Sequence, residues 1–192
     1  MKKKATSWAY KILTGHLPAQ YSWEYLSLII NKKLDYPLLA LSLSNNECGE
    51  LIAIIKDSGL PHSSIWKKSP LNFVHGTSDY IGIGMDDLYI IQGSYKIEIV
   101  HEFLSRSDMT GNLLRSEIEW STIHVGIGRG IFYLDYDLYV NILSRSWIKN
   151  LWNFAHEYGI YLPTSPSQLY LNREGDLFIM EKFYHSGFPL RQ

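Results

Sequence analysis

The sequence predicts an α+β domain: an N-terminal helical layer, a small and mainly antiparallel sheet, and a C-terminal helix packed on it. Three observations predict it. Apolar residues at helical spacing dominate the first sixty or so positions. Short runs rich in β-branched and aromatic side chains, separated by Gly and Asp, fill the middle. One amphipathic stretch, 147–158, then has a polar cap before it and a glycine after it.

The elements follow in order. Between Tyr21 and Lys32, Trp23, Leu26, Ile29 and Ile30 lie close to a helical stripe. Asp35 before Pro37 predicts the start of a short helix over 38–43. Asn46 predicts the cap of a third helix, 47–56, whose Leu51, Ile52 and Ile55 face inward and which Gly59 and Pro61 end. Residues 62–72 read as a loop. Tyr80–Ile83 and Leu88–Ile91 read as strands around a hairpin turn at Gly84-Met85-Asp86-Asp87, and Tyr95–Val100 as a third strand. A helix is expected over 110–122 with Leu113, Leu114 and Ile118 on one side. A glycine-rich break at 126–130 leads to a strand over 131–134. Ser146 then caps the helix that ends at Gly159, with Ile148, Leu151, Trp152 and Ala155 as its core face. Thr164–Gln168 reads as a turn and Leu177–Phe183 as a last apolar segment. The whole is expected to be a single domain over 1–192, with sub-parts at 1–60 (helical layer) and 61–192 (α+β core).

Composition narrows the function classes. A chain 46% hydrophobic and 19% charged carries enough apolar surface for a core, which argues against disorder. Net charge is −1, from 18 basic and 19 acidic residues. Phosphate contacts dominate duplex binding, so nucleic acid stays open as a partner but the charge does not support it. The one basic run, Lys2-Lys3-Lys4, reads as a solvated end. The single cysteine, Cys48, allows no intrachain disulfide and no Cys/His zinc pattern, and it reads as a small buried apolar residue. A reducing, cytoplasmic setting is therefore the default expectation. No secretory signal is read at the N-terminus, and the apolar run 38–43 is too short to cross a bilayer. With 14 Tyr, 7 Phe and 6 Trp, the chain has ring area for a core and also for a binding face.

Several clusters bear on chemistry. His75-Gly76-Thr77-Ser78 resembles the His-Gly-Thr signature of ADP-ribosyltransferases of the poly-ADP-ribose polymerase and RNA phosphotransferase type. Gly128-Arg129-Gly130-Ile131-Phe132-Tyr133 is similar to their Gly-x-Gly-Ile-Tyr-Phe strand. The resemblance implies NAD as cofactor. It places His75 on a ribose hydroxyl, Gly76 and Thr77 beside the dinucleotide, and Phe132 against nicotinamide. A glutamate, Glu181 or Glu157, would stabilise the oxocarbenium-like transition state. The alternative reading is two ordinary glycine turns. Met85-Asp86-Asp87-Leu88-Tyr89 resembles the metal-binding Tyr-x-Asp-Asp hairpin of reverse transcriptases, but Gly84 stands where the tyrosine should be. Asp at a turn explains it equally well. Gly126–Gly130 misses the dinucleotide spacing by one residue, and Ser105 replaces the second histidine of a zinc-protease motif begun at His101-Glu102. The seven histidines show no metal-ligand spacing, so no metal site is expected.

The longest resemblance runs from about Leu114 to Phe188. It includes Leu114-Arg115-Ser116-Glu117, Leu134-Asp135-Tyr136, the 146–154 segment with Trp147, Trp152 and Phe154, Arg173-Glu174-Gly175-Asp176 and Ile179-Met180-Glu181. It is similar to a segment of uncharacterised proteins of retroelement-type reading frames, and it covers a little under half the chain. That resemblance, with no complete catalytic set, implies a non-enzymatic accessory or interaction module of a mobile genetic element. Such a module has a protein partner, no membrane and no cofactor. An NAD-dependent ADP-ribosyltransferase is the alternative.

Overall fold

The structure is a computed structural model that describes residues 1–26, 32–127 and 129–162. Among these residues there are helices and turns and no β-strand, so the expected sheet is overturned. No helix among them is long and apolar enough to cross a membrane. The chain divides into two compact units, Met1–Tyr95 and a second that begins at Lys96.

The first unit is built on α1 (Lys2–Thr14), α2 (Ala19–Glu24), α3 (Lys32–Leu38), α4 (Asn45–His62) and α5 (Leu71–His75). The stripe Ala5, Ala9 and Ile12 of α1 packs on α4, whose buried face holds Cys48, Leu51, Ile52 and Ile55. Lys2, from the lysine run, pairs with Glu50 on α4. The cap of α4 is Ser44 rather than Asn46. Its hydroxyl accepts from the Glu47 amide (3.3 Å), and the Glu47 carboxylate accepts from the Ser44 amide (2.8 Å). This reciprocal pair satisfies two end donors at once. The helix also runs through Gly59 and Pro61 instead of stopping there: Pro61 falls in the last turn, where it forfeits one i→i−4 bond, and the preceding turn is held by buried Gly59 and Leu60. The helix expected over 38–43 is displaced: Pro37 lies inside α3, and 41–44 is irregular chain.

Two of the four predicted strands, 88–91 and 95–100, become one helix, α6 (Leu88–Phe103). Asp87, read as a hairpin tip, starts it. Its carboxylate accepts from the Tyr89 and Ile90 amides (2.8 and 3.4 Å), and its carbonyl accepts from Ile91 (3.0 Å). The inward positions are Leu88, Tyr89, Gln92, Gly93, Lys96 and Val100, a helical period. Three of the six are Gln, Gly and Lys, so the apolar residues alone show no helical stripe. The first half of α6 belongs to the first unit and the second half to the second.

The segment before α6 folds back as a tight loop. The Ile83 and Met85 amides donate to the Phe73 and Val74 carbonyls (2.9 and 2.8 Å), and those of Gly82 and Gly84 to Thr77 and Gly76 (2.9 and 2.8 Å). A Cβ on Gly82 would lie 2.0 Å from the Gly76 carbonyl oxygen, so the closure needs glycine there. At the tip, Ser78–Tyr80 is a 3-10 turn and Ile81 has φ +62°, where the strand 80–83 was expected. A β-branched residue is strained in that left-handed region. Ile81→Gly is therefore expected to stabilise the fold by about 0.5–1 kcal/mol despite the added unfolded-state freedom, because Ile81 is exposed and little packing is lost. Urea unfolding of the two chains checks this, and a lower midpoint for the variant would count against the strain.

The second unit contains the rest of α6, then α7 (Met109–Val125), α8 (Tyr136–Tyr139) and α9 (Trp147–Glu157). The expected helices over 110–122 and 147–158 are present as α7 and α9. Asp108 caps α7 through the Gly111 amide (2.8 Å), and Ser146 caps α9 through the Lys149 amide (3.1 Å). Ile131–Tyr133, predicted as a strand, is a 3-10 turn packed on α7. The core joins Val100, Leu114, Ile118, Val125, Ile131, Leu143, Ile148, Leu151, Trp152 and Ala155. At the corner after α6, the Arg115 guanidinium donates to the Leu104 and Arg106 carbonyls (both 2.7 Å). A Cβ on Gly111 would strike the Arg106 and Phe103 carbonyls at 2.3 and 2.5 Å, so α7 approaches this corner backbone to backbone. Fully buried Lys96 donates to the Asn150 side-chain oxygen (2.6 Å), with its ammonium 5.2 Å from the Trp147 ring centre.

Candidate functional site

The residues proposed from motif resemblance fall in different places. His75 ends α5 in the first unit, and its Nδ1 lies 2.7 Å from the Met85 carbonyl. Gly76 and Thr77 form one side of the tight loop, and a Cβ on Gly76 would meet the Asn72 oxygen at 2.4 Å. The chain's own backbone thus accounts for glycine at that position. Phe132 belongs to the second unit, in the turn where a strand was expected. Glu157 is the last residue of α9. Glu181 and Gly128 lie outside the described residues, as do the 164–168 turn and the 177–183 segment. Among the described residues, no group of three His, Cys, Asp or Glu side chains gathers as a metal cluster would. Cys48 is buried, as the sequence reading has it.

Two features of the second unit present apolar surface to solvent. The first is a cleft of about 270 Å³ lined by Phe132, Leu134, Tyr136, Trp152, His156 and Tyr161 among others. Its walls are rings held by one another. Tyr136 stands edge-on to Trp152 (centroids 5.1 Å, 81°) and stacks on His156 (4.7 Å, 19°). Its hydroxyl donates to the Asn153 side-chain oxygen (2.5 Å). Burial first, then the nearby Asp137 and Glu157 carboxylates, push the Tyr136 phenol above its usual range. Tyr161 is raised as well, chiefly by its hydrogen bond with Tyr133, whose ring it meets edge-on at 5.7 Å.

The second feature is the outer face of α7. The helix buries Leu114, Ile118 and Val125 in the core. On the opposite side, Met109, Leu113, Trp120 and Ile123 are exposed by 77, 61, 65 and 59%. With exposed Ser116 they recur at intervals of four, three, four and three residues. At 3.6 residues per turn these five positions fall within about 80° of arc. Single exposed apolar residues are ordinary on any surface; these four lie along one line of the helix. The sequence reading put Leu113 with Leu114 and Ile118 on one side. The structure separates them, because consecutive residues on a helix diverge by about 100°. The four-three spacing was available in the sequence and would have exposed the second stripe.

No protein family, curated protein or solved structure matches the chain.

Proposed function

We propose that this chain is a non-enzymatic interaction module, as expected from the sequence, and that it engages a partner protein's helix through the outer face of α7. One observation carries this: α7 bears two apolar stripes on opposite sides, and the core formed by the described residues uses only one. Alternating intervals of four and three residues suit helix-on-helix packing, where side chains of one helix enter the gaps of the other. Trp and Met are enriched at such contacts, because they bring large area or adaptable shape to a groove. The balanced charge favours a protein partner over nucleic acid. The mobile-element setting rests on the resemblance over 114–188 and belongs to the same proposal.

A photo-reactive side chain at Leu113 in the full chain tests it in the native host. Discrete covalent adducts are expected, and they should disappear when Trp120→Glu is combined with the probe. The absence of any adduct at this position, with the chain folded by circular dichroism, would sink the proposal.

A further inference from the structure

We infer that the occupant of the outer α7 face is a second copy of α7, packed antiparallel about a twofold axis at Ser116. The inference rests on the reading of α7 as an interaction helix. Its basis is the symmetry of the stripe. Met109 and Ile123 lie seven residues either side of Ser116, and Leu113 and Trp120 lie three before and four after it. Reversing the helix lays the stripe on itself to within one residue: Met109 faces Ile123 of the second copy, and Leu113 lies one residue out of register with Trp120. A twofold dimer requires just such a self-complementary patch, with each contact made twice. The smallest residue sits at the centre, where two helix axes approach closest. Opposed helix directions also set the dipoles head to tail.

The area agrees with a weak dimer. The exposed parts of Met109, Leu113, Trp120 and Ile123 come to roughly 500 Å² per copy, so pairing removes about 1,000 Å² from water, the lower bound for a specific interface. Charge on the two flanks divides. On one side Asn112 meets Glu119 of the second copy, an amide facing a carboxylate. On the other Thr110 meets His124, and the two copies of Glu117 face each other across the axis. That like-charge pair weakens the association.

Sedimentation of the full chain over a concentration series tests this. A shift from 22.2 kDa toward twice that mass is expected. Leu113→Glu should weaken the dimer at least tenfold, and Glu117→Gln should tighten it severalfold, since it removes repulsion without touching the core. In a background lacking Cys48, Ser116→Cys should form an interchain disulfide under mild oxidation, while Glu119→Cys should not. A monomer at every concentration, a dimer indifferent to Leu113→Glu, or equal cross-linking at 116 and 119 would overturn the inference. If the chain stays monomeric while the Leu113 probe labels another protein, only the second-copy assignment fails. If it stays monomeric and the probe labels nothing, the interaction reading fails with it.

Discussion

Trp152→Ala is expected to remove about 3–5 kcal/mol of stability, the range for deleting a large aromatic from a core. Trp152 is 3% exposed and lies in the cluster with Ile131, Ile148 and Leu151. Its ring also sets the Tyr136 ring edge-on at 5.1 Å, and that contact holds the cleft wall. Two losses therefore combine: the transfer energy of the indole and the cavity left where α9 packs. Domain stabilities are themselves about 5–15 kcal/mol, so the second unit should lose most of its margin. Thermal unfolding followed by near-ultraviolet circular dichroism reads this directly, with Trp152→Phe as the comparison that keeps a ring and loses less. An alanine variant within about 1 kcal/mol of the parent would mean that the site collapses without cost or that the indole is not in the core.

How legible each element was follows from which residues carry its signal. Helix α9 was readable because every cue agreed: Ser146 as cap, apolar residues on one face, glycine just past the end. Helix α7 was readable from its apolar residues, within three residues at each end, although Leu113 was assigned to the wrong face. Helix α6 was not. Its sequence offers Tyr, Ile and Val in abundance, which favour strands when read singly. The inward residues that would have revealed a helical period include Gln92 and Lys96, and those look like outward positions. Burial of a polar side chain is decided by partners far along the chain, Leu43 for one and Asn150 for the other, and no local window contains them. The Asp86-Asp87 pair shows the same ambiguity, since Asp serves turns and helix caps by the same hydrogen-bonding ability.

The candidate surface was half legible. Leu113 and Trp120 are plain in the sequence, but an apolar residue on a helix is first assigned to the core. Only the position of the core on the other side of α7 frees Met109, Leu113, Trp120 and Ile123 for another role. The His75 cluster went the other way. The motif resemblance puts a dinucleotide beside Gly76, and the structure sets the Cα of Gly82 in the same loop 3.4 Å from where a Cβ would lie. A glycine motif reports that something approaches closely, not what that something is.

Gln92→Leu is expected to cost about 2–4 kcal/mol, although it makes a buried position more apolar. Gln92 is fully buried on α6, and its amide clamps one residue of the irregular 41–44 segment from both sides. The side-chain oxygen accepts from the Leu43 amide (3.0 Å), and the side-chain nitrogen donates to the Leu43 carbonyl (2.9 Å). This is a strand-like exchange made by a side chain, and it fixes the chain just ahead of the Ser44 cap of α4. Leucine cannot replace either bond, and part-buried backbone groups that lose their partners carry their full desolvation cost. Gln92→Glu separates hydrogen bonding from packing, because the shapes match. An ionised carboxylate accepts from the Leu43 amide but cannot donate to its carbonyl, whereas the protonated acid can do both. Burial raises the pKa of the introduced carboxyl in the folded state. Its contribution is therefore fully present below the unfolded value of about 4.3 and is lost as pH rises through the folded value. The deficit of Gln92→Glu relative to the parent should be smallest near pH 4 and largest above neutrality, while that of Gln92→Leu stays level with pH. Urea unfolding at a series of pH values measures both, and parallel curves for the two variants would show that the clamp on Leu43 contributes nothing.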